Sequence, residues 1–298
     1  GLGGAPRLEL DGAAIAQNVS RFVGAAVLGV LLWRGHRGVS ISGRNGWKLD
    51  IPFLKRLADI SIPAMGESLL RSGGQILFVV IVFRLGTEVA AAHNIAQNAV
   101  FLSMFPGFGF SMAATALVGQ SLGARNPDRA KASTLTATRA CVVWMSVMGV
   151  LFFVFAEPIM KLSATGENKQ EIIDAGVAAL RVIAFAQPIQ AVGFVLAGAL
   201  RGAGDTRFPM VSTGISMWIF RIPLAYGLAI TAGLGLGGVY LAMGIDNLIL
   251  MVLNLWRYRQ GKWLTSRLDV PAASDAPPAT VKKPADEKVD AEAIVADG

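Results

Sequence analysis

Seven stretches of the chain are apolar over roughly the 18–20 residues needed to cross a hydrocarbon layer about 30 Å thick. They are Gly12–Trp33, Ile60–Leu85, Val89–Leu122, Thr134–Phe155, Ile172–Leu200, Phe208–Ile230 and Gly235–Trp256. Inside lipid a free backbone amide has no water to bind, so such segments must close their hydrogen bonds internally as helices. The expected fold class is all-α, a polytopic membrane helix bundle of about seven transmembrane helices. Composition agrees. Only 16% of the residues are charged, against about 25% in soluble domains. The 34 glycines suit membrane helices, where small residues let backbones approach closely.

A net charge of +7 would otherwise suggest a nucleic-acid partner, but the basic residues fall in short loops between apolar runs. One set of loops holds Arg34, Arg37, Arg44, Lys48, Lys55 and Arg56, then Arg125, Arg129 and Lys131, then Arg201 and Arg207, then Arg257, Arg259, Lys262 and Arg267. The opposite set holds only Arg7, Arg84, Lys161 and Lys169. The positive-inside rule makes the first set cytoplasmic, so the C-terminus is expected inside and the N-terminus outside. Membrane topology, with the lipid bilayer as partner, accounts for the charge, and no nucleic acid is expected. The single Cys141 excludes an internal disulfide or a multi-cysteine metal site. Gly1 is not an initiator methionine and no signal peptide opens the chain, so the chain is expected to begin inside a larger protein. Beyond Asp269 the Pro/Ala/Lys/Glu-rich sequence is too polar to offset its ordering entropy. Residues 264–298 are expected to be a disordered cytoplasmic tail.

Ionisable and polar groups inside apolar runs mark the candidate sites, because they are costly in lipid and usually face a cavity or a partner. Glu67 and Arg71 stand one turn apart, as a structural pair or as a substrate- or proton-linked carboxylate and its modulator. Asp246 and Asn247 lie midway along the last span, with structural and ion-pathway roles equally open. Arg21, Arg181 and Arg221 are expected as structural partners or snorkelling groups. His93 is expected to pack or hydrogen-bond between helices. Gln97, Asn98, Gln187 and Gln190 either line a cavity or join neighbouring helices. Phe105-Pro106-Gly107-Phe108-Gly109-Phe110 interrupts the third segment. Pro106, Gly107 and Gly109 are hinge candidates there, and Phe105 and Phe108 are candidate apolar lining. At helix ends, Asn126-Pro127-Asp128 and Gly204-Asp205-Thr206 resemble N-terminal caps, and Gly123 suits a helix end.

Several motifs fail. Gly202-Ala-Gly204-Asp205-Thr206-Arg207 lacks the Lys-Ser/Thr of a phosphate loop. Ser111 has no placed histidine base. The last span has no lysine for a retinal Schiff base, and no His-Glu-x-x-His or acidic metal cluster occurs. Neither an enzyme nor a bound cofactor is expected.

Three stretches resemble the multidrug and toxic compound extrusion (MATE) family, and its DinF-type bacterial branch. They are Leu85-Gly-Thr-Glu-Val-Ala-Ala-Ala-His93-Asn-Ile-Ala, the run from Phe105-Pro-Gly-Phe-Gly-Phe to Gly-Gln120-Ser-Leu-Gly-Ala-Arg-Asn-Pro-Asp-Arg-Ala130, and Gly198-Ala-Leu-Arg201-Gly-Ala-Gly-Asp205-Thr-Arg. The resemblance covers about Gly12 to Trp263. It implies an antiporter of two six-helix lobes around a cleft, exporting organic, often cationic, amphipathic drugs or toxic metabolites from a bacterial inner membrane. The coupling ion would be H+ or Na+, and the mechanism alternating access. On this reading residues 1–35 are the last helix of an N-terminal lobe, 36–56 a cytoplasmic linker and 57–263 the C-terminal six-helix lobe. The first five helices would be missing. A faint repeat supports the duplication, since the first and last spans both end in Trp-Arg, at Trp33-Arg34 and Trp256-Arg257. Arg71 stands where members with a coupling glutamate in the seventh helix carry that acid. A flippase of lipid-linked precursors and a non-transporting membrane scaffold remain the alternatives.

Overall fold

The computed structural model describes residues 9–34, 51–164 and 168–264. Its long helices are α1 (Glu9–Arg34), α2 (Ile51–Phe83), α3 (Thr87–Gly123), α4 (Pro127–Val154), α6 (Lys169–Gly202) and α9 (Gly235–Arg259). A short α5 (Ala156–Ser163) follows α4. The remaining long span, Arg207–Thr231, is composite. It joins α7 (Arg207–Gly214) and α8 (Ile222–Tyr226) through π-helical stretches at Ile215–Arg221 and Gly227–Thr231. Among the described residues, seven helices are therefore long and apolar enough to cross a membrane, as the sequence predicts.

The chain divides into two compact units, Gly1–Arg56 and Leu57–Gly298. In the first, α1 is apolar from Ile15 to Trp33. Of the expected linker, 36–50 lies outside the described residues, while 51–56 is already helical, because α2 begins at Ile51. The expected tail beyond Leu264 also lies outside them.

In the second unit the most buried helix is α6, with 67% of its apolar window inside the bundle. Side-chain pairings show how the crossings alternate. Ser111 and Thr115 on α3 donate to the carbonyls of Phe194 and Gly198 on α6, at 2.8 Å each. On α9, Met251 lies beside Gly193 of α6, and Gly244 lies beside Ala186. Residue numbers rise together in every pair, so α3, α6 and α9 run in one direction. Likewise Gly66 meets Met210 and Gly74 meets Met217, so α2 runs parallel to the composite span. Successive spans thus cross in opposite directions. Close approach at the centre depends on small residues. A Cβ at Gly198 would overlap the carbonyl of Ser111, and one at Gly202 that of Thr115.

One local expectation changes and another is refined. The run Phe105–Phe110 does not break α3, which is helical from Thr87 through Gly123 with Pro106 inside. Proline deletes one i→i−4 bond, and the turns beside it stay packed, with Gly107 against Met145 and Phe194. Gly123 is the last residue of α3, as expected, but it is not the left-handed one. Arg125 takes that conformation at φ 55°, and Asn126 N–H then donates to Ser121 O at 2.9 Å. Asn126 caps α4 as expected, its Oδ1 accepting from Arg129 N at 2.9 Å.

Candidate transport cavity

One face of α2 carries Glu67, Arg71, Gln75, Val79 and Phe83 at four-residue intervals, and all five side chains line a cavity of about 860 Å³. The facing stripe of α3 is Gln97, Phe101, Met104, Phe108 and Ser111, spaced by three or four residues as a helix face requires. Gln190, Phe194 and Arg201 of α6, the π-helical Ser216–Arg221 stretch, and Asp246 with Asn247 of α9 complete the wall. The first turns of the α2 stripe are polar and its last turns apolar. The α2 side of the cavity is therefore charged at one end and apolar at the end nearer the α2–α3 connection.

Glu67 is the hub of the charged end. It is 5% exposed, a burial a carboxylate tolerates only with strong partners. Arg201 grips it with Nη2 on Oε1 at 2.6 Å and Nε on Oε2 at 3.2 Å. Arg71 adds Nη2 on Oε1 at 3.0 Å, and the Thr213 hydroxyl donates at 3.4 Å. Both Glu67 oxygens are thus occupied. The sequence shows the Arg71 pair, but Arg201 lies 134 residues away and reads as an ordinary loop cation. Its only sequence signal is its place inside the Gly198–Arg207 stretch. Asp205 of that stretch has a separate task. It accepts from Arg257 Nε at 2.7 Å and from Phe208 N at 3.4 Å, joining the start of the composite span to the end of α9.

A second pair sits deeper. Arg221 Nη1 is 3.7 Å from Asp246 Oδ2, an ion contact longer than a hydrogen bond. The Arg221 guanidinium lies 4.1 Å from the centroid of the Phe78 ring, a favourable cation–π distance. Asp246 Oδ1, Arg221 Nε, Gln97 Oε1, Gln190 Oε1 and Asn247 Nδ2 are buried with no protein partner. Every one of these residues is on the cavity wall. The seven-residue π stretch ending at Arg221 widens the helical turn beside this pair, a feature frequent at functional positions.

Of the sequence candidates, Glu67, Arg71, Gln97, Phe108 and Asp246 meet at this cavity, whereas Asn98 and Phe105 do not line it. The reason is rotational, since neighbouring helix residues point about 100° apart. Asn98 is turned away from the Gln97 stripe and exposed. Phe105 is exposed and packs edge-on against Phe101, with centroids 5.4 Å apart. His93 is a packing residue, its Nδ1 3.3 Å from the Tyr240 hydroxyl and its ring edge-on to Phe78. Gln187 stays between helices, accepting from Ser103 at 3.5 Å. Arg221, expected as a structural partner or snorkelling group, lines the cavity, and Arg201, Gln75, Thr213 and Ser216 are cavity residues that sequence reasoning did not select as site residues. Gln75 alone was accessible to it, one turn beyond Arg71.

Among the described residues, seven membrane-length helices, six of them in one unit around a chamber with charged walls, define a polytopic membrane protein. The MatE family model matches residues 63–227, and the chain belongs to this family, the multidrug and toxic compound extrusion transporters. A probable multidrug resistance protein NorM of Thermotoga maritima is 30% identical over 260 residues, covering 87% of this chain and 55% of the relative. A NorM of Rhodopseudomonas palustris is also 30% identical, over 86% of this chain and 55% of the relative. The chain spans about half the length of the curated relatives it matches. In fold it is similar to a MATE solved in complex with MaL6 (TM-score 0.78, 21% identity, 86% of this chain and 58% of that one). It is also similar to a MOP superfamily transporter from Pyrococcus furiosus, described as having a binding pocket of reversed polarity (TM-score 0.79, 20% identity, 87% and 58%).

Proposed function

We propose that this chain forms a cargo- and ion-handling lobe of a secondary antiporter that exports amphipathic organic molecules by alternating access. Its partner is a second helical lobe that supplies the opposite wall of the cavity. The protein would sit in the bacterial inner membrane with its C-terminus in the cytoplasm. The observation that carries this reading is the pairing of one saturated carboxylate with one unsaturated carboxylate in a single chamber. Glu67 has both oxygens held by arginine, so it acts as a fixed strut. Asp246 has the Ser216 hydroxyl beside it and Arg221 only in long contact, and its Oδ1 has no protein partner. Asp246 is therefore the acid best placed to take up H+ or Na+, with the Gln97 and Gln190 carbonyl oxygens as further acceptors for a cation. Occupation of Asp246 weakens its hold on Arg221 and alters the wall that cargo meets. Pro106, flanked by Gly107 and Gly109, is the proposed point of bending in α3, because it lacks one backbone hydrogen bond.

The test is flux in proteoliposomes under imposed proton or sodium gradients, with the protein at the full length of its relatives. D246N should abolish the dependence on the gradient, and the 298-residue chain alone should give no coupled flux. Unchanged coupling in D246N would remove Asp246 from the mechanism. Saturable partner binding without any flux would favour the scaffold reading instead.

A further inference from the structure

The charges on the cavity wall do not suit a simple organic cation. They comprise Arg71, Arg201 and Arg221 against Glu67 and Asp246. Glu67 already holds two arginines, so one guanidinium charge is left over at that end of the chamber. It resides chiefly on Arg71, whose side chain is 46% exposed. Arg71 makes its bond to Glu67 through Nη2. Its Nε and Nη1 donate to no described residue, so three N–H groups on a permanently charged guanidinium remain for a carboxylate, sulfonate or phosphate. At the other pair the uncommitted groups include acceptors, Asp246 Oδ1 and Gln190 Oε1. Arg221, which faces Asp246, lies over Phe78, seven residues after Arg71 on α2, which places the two polar centres about 10 Å apart along the helix axis. Val79, Phe83, Phe101 and Met104 supply an apolar wall beyond them.

We propose that Arg71 anchors an acidic group on the cargo, so that the cavity selects zwitterionic amphiphiles over simple cations. In these the acidic group and an ammonium group are spaced by about 10 Å. The proposal rests on the reading of this chamber as the cargo site. It also fits antiport, because the cargo's ammonium group and the coupling cation compete for Asp246. Beside Glu67, Arg71 contributes N–H donors that Glu67 does not occupy.

The test uses three dyes built on one naphthalene body, carrying a sulfonate only, a trimethylammonium only, or both at the stated spacing. Their binding to the purified chain in uncharged detergent is followed by fluorescence. The zwitterion should bind at least tenfold more tightly than the cation. R71Q should remove that advantage while leaving cation affinity within about twofold, and R71K should restore part of it. R129Q, on the exposed start of α4 away from the cavity, should change nothing. Displacement of the zwitterionic dye by a short-chain phosphatidylethanolamine would identify a lipid headgroup as the source of the acidic group. Displacement by an aminoalkyl sulfonate would identify a soluble amphiphile, and either result supports the anchor. Equal affinity for cation and zwitterion, or an advantage that survives in R71Q, overturns it. In the full-length protein, gradient-driven flux of the cation alone, unaffected by R71Q, sinks the anchor and keeps the transporter. Selective binding with no flux of any dye does the reverse.

Discussion

Glu67→Gln is the substitution that most directly tests how the charged end is held. Gln keeps the shape of Glu, removes the charge and turns one oxygen into a donor facing a guanidinium. At an effective dielectric of about 20, unit charges 4 Å apart attract by about 4 kcal/mol, and breaking a fully buried pair costs about 3–5 kcal/mol. Here Arg201 is 32% exposed and Arg71 46% exposed, so water recovers part of that loss. The bidentate Glu67–Arg201 contact should still show a coupling of about 1–3 kcal/mol in a double-mutant cycle. The single-bonded i,i+4 contact to Arg71 should show about 0.5 kcal/mol. The cycles combine E67Q with R201Q and with R71Q, read from the midpoint of detergent-to-SDS unfolding. A coupling to Arg71 equal to or larger than that to Arg201 would refute the assignment of Arg201 as the principal clamp. Additivity of E67Q and R201Q within about 0.3–0.5 kcal/mol would refute the clamp altogether.

The glycines separate by environment. Gly198→Ala forces a methyl group into the Ser111 carbonyl and should destabilise by about 1–3 kcal/mol. Gly109→Ala meets open space and should be neutral or stabilising by up to about 1 kcal/mol through helix propensity; the same unfolding midpoint compares them. Arg125→Gly relieves a left-handed residue at φ 55° and should raise the midpoint by about 0.5–1 kcal/mol, whereas a fall would show that the side chain contributes more than the backbone strain it imposes.

The two halves of the charged end show how far local reading reaches. Glu67 and Arg71 are legible from sequence because four residues on a helix are always neighbours. The same spacing rule picks out Gln97 and Phe108 on one stripe. Yet it could not tell Gln97 from Asn98, or Phe108 from Phe105, because the direction in which a helix turns its face is set by its neighbours. In lipid both faces of α3 are apolar enough that no clean hydrophobic stripe marks the inside.

By itself, then, the sequence determined seven membrane-length helices, the Asn126 cap and the short-range Glu67–Arg71 pair. Each follows from residues within a turn or from the length of an apolar run. Only the tertiary structure decided that Arg201 clamps Glu67, that Arg221 contacts both Phe78 and Asp246, and that an acid oxygen and arginine N–H donors remain without protein partners in one chamber. Those facts join segments more than a hundred residues apart for Glu67 and Arg201. The state of a buried charge is fixed by what packs against it, which no local pattern records.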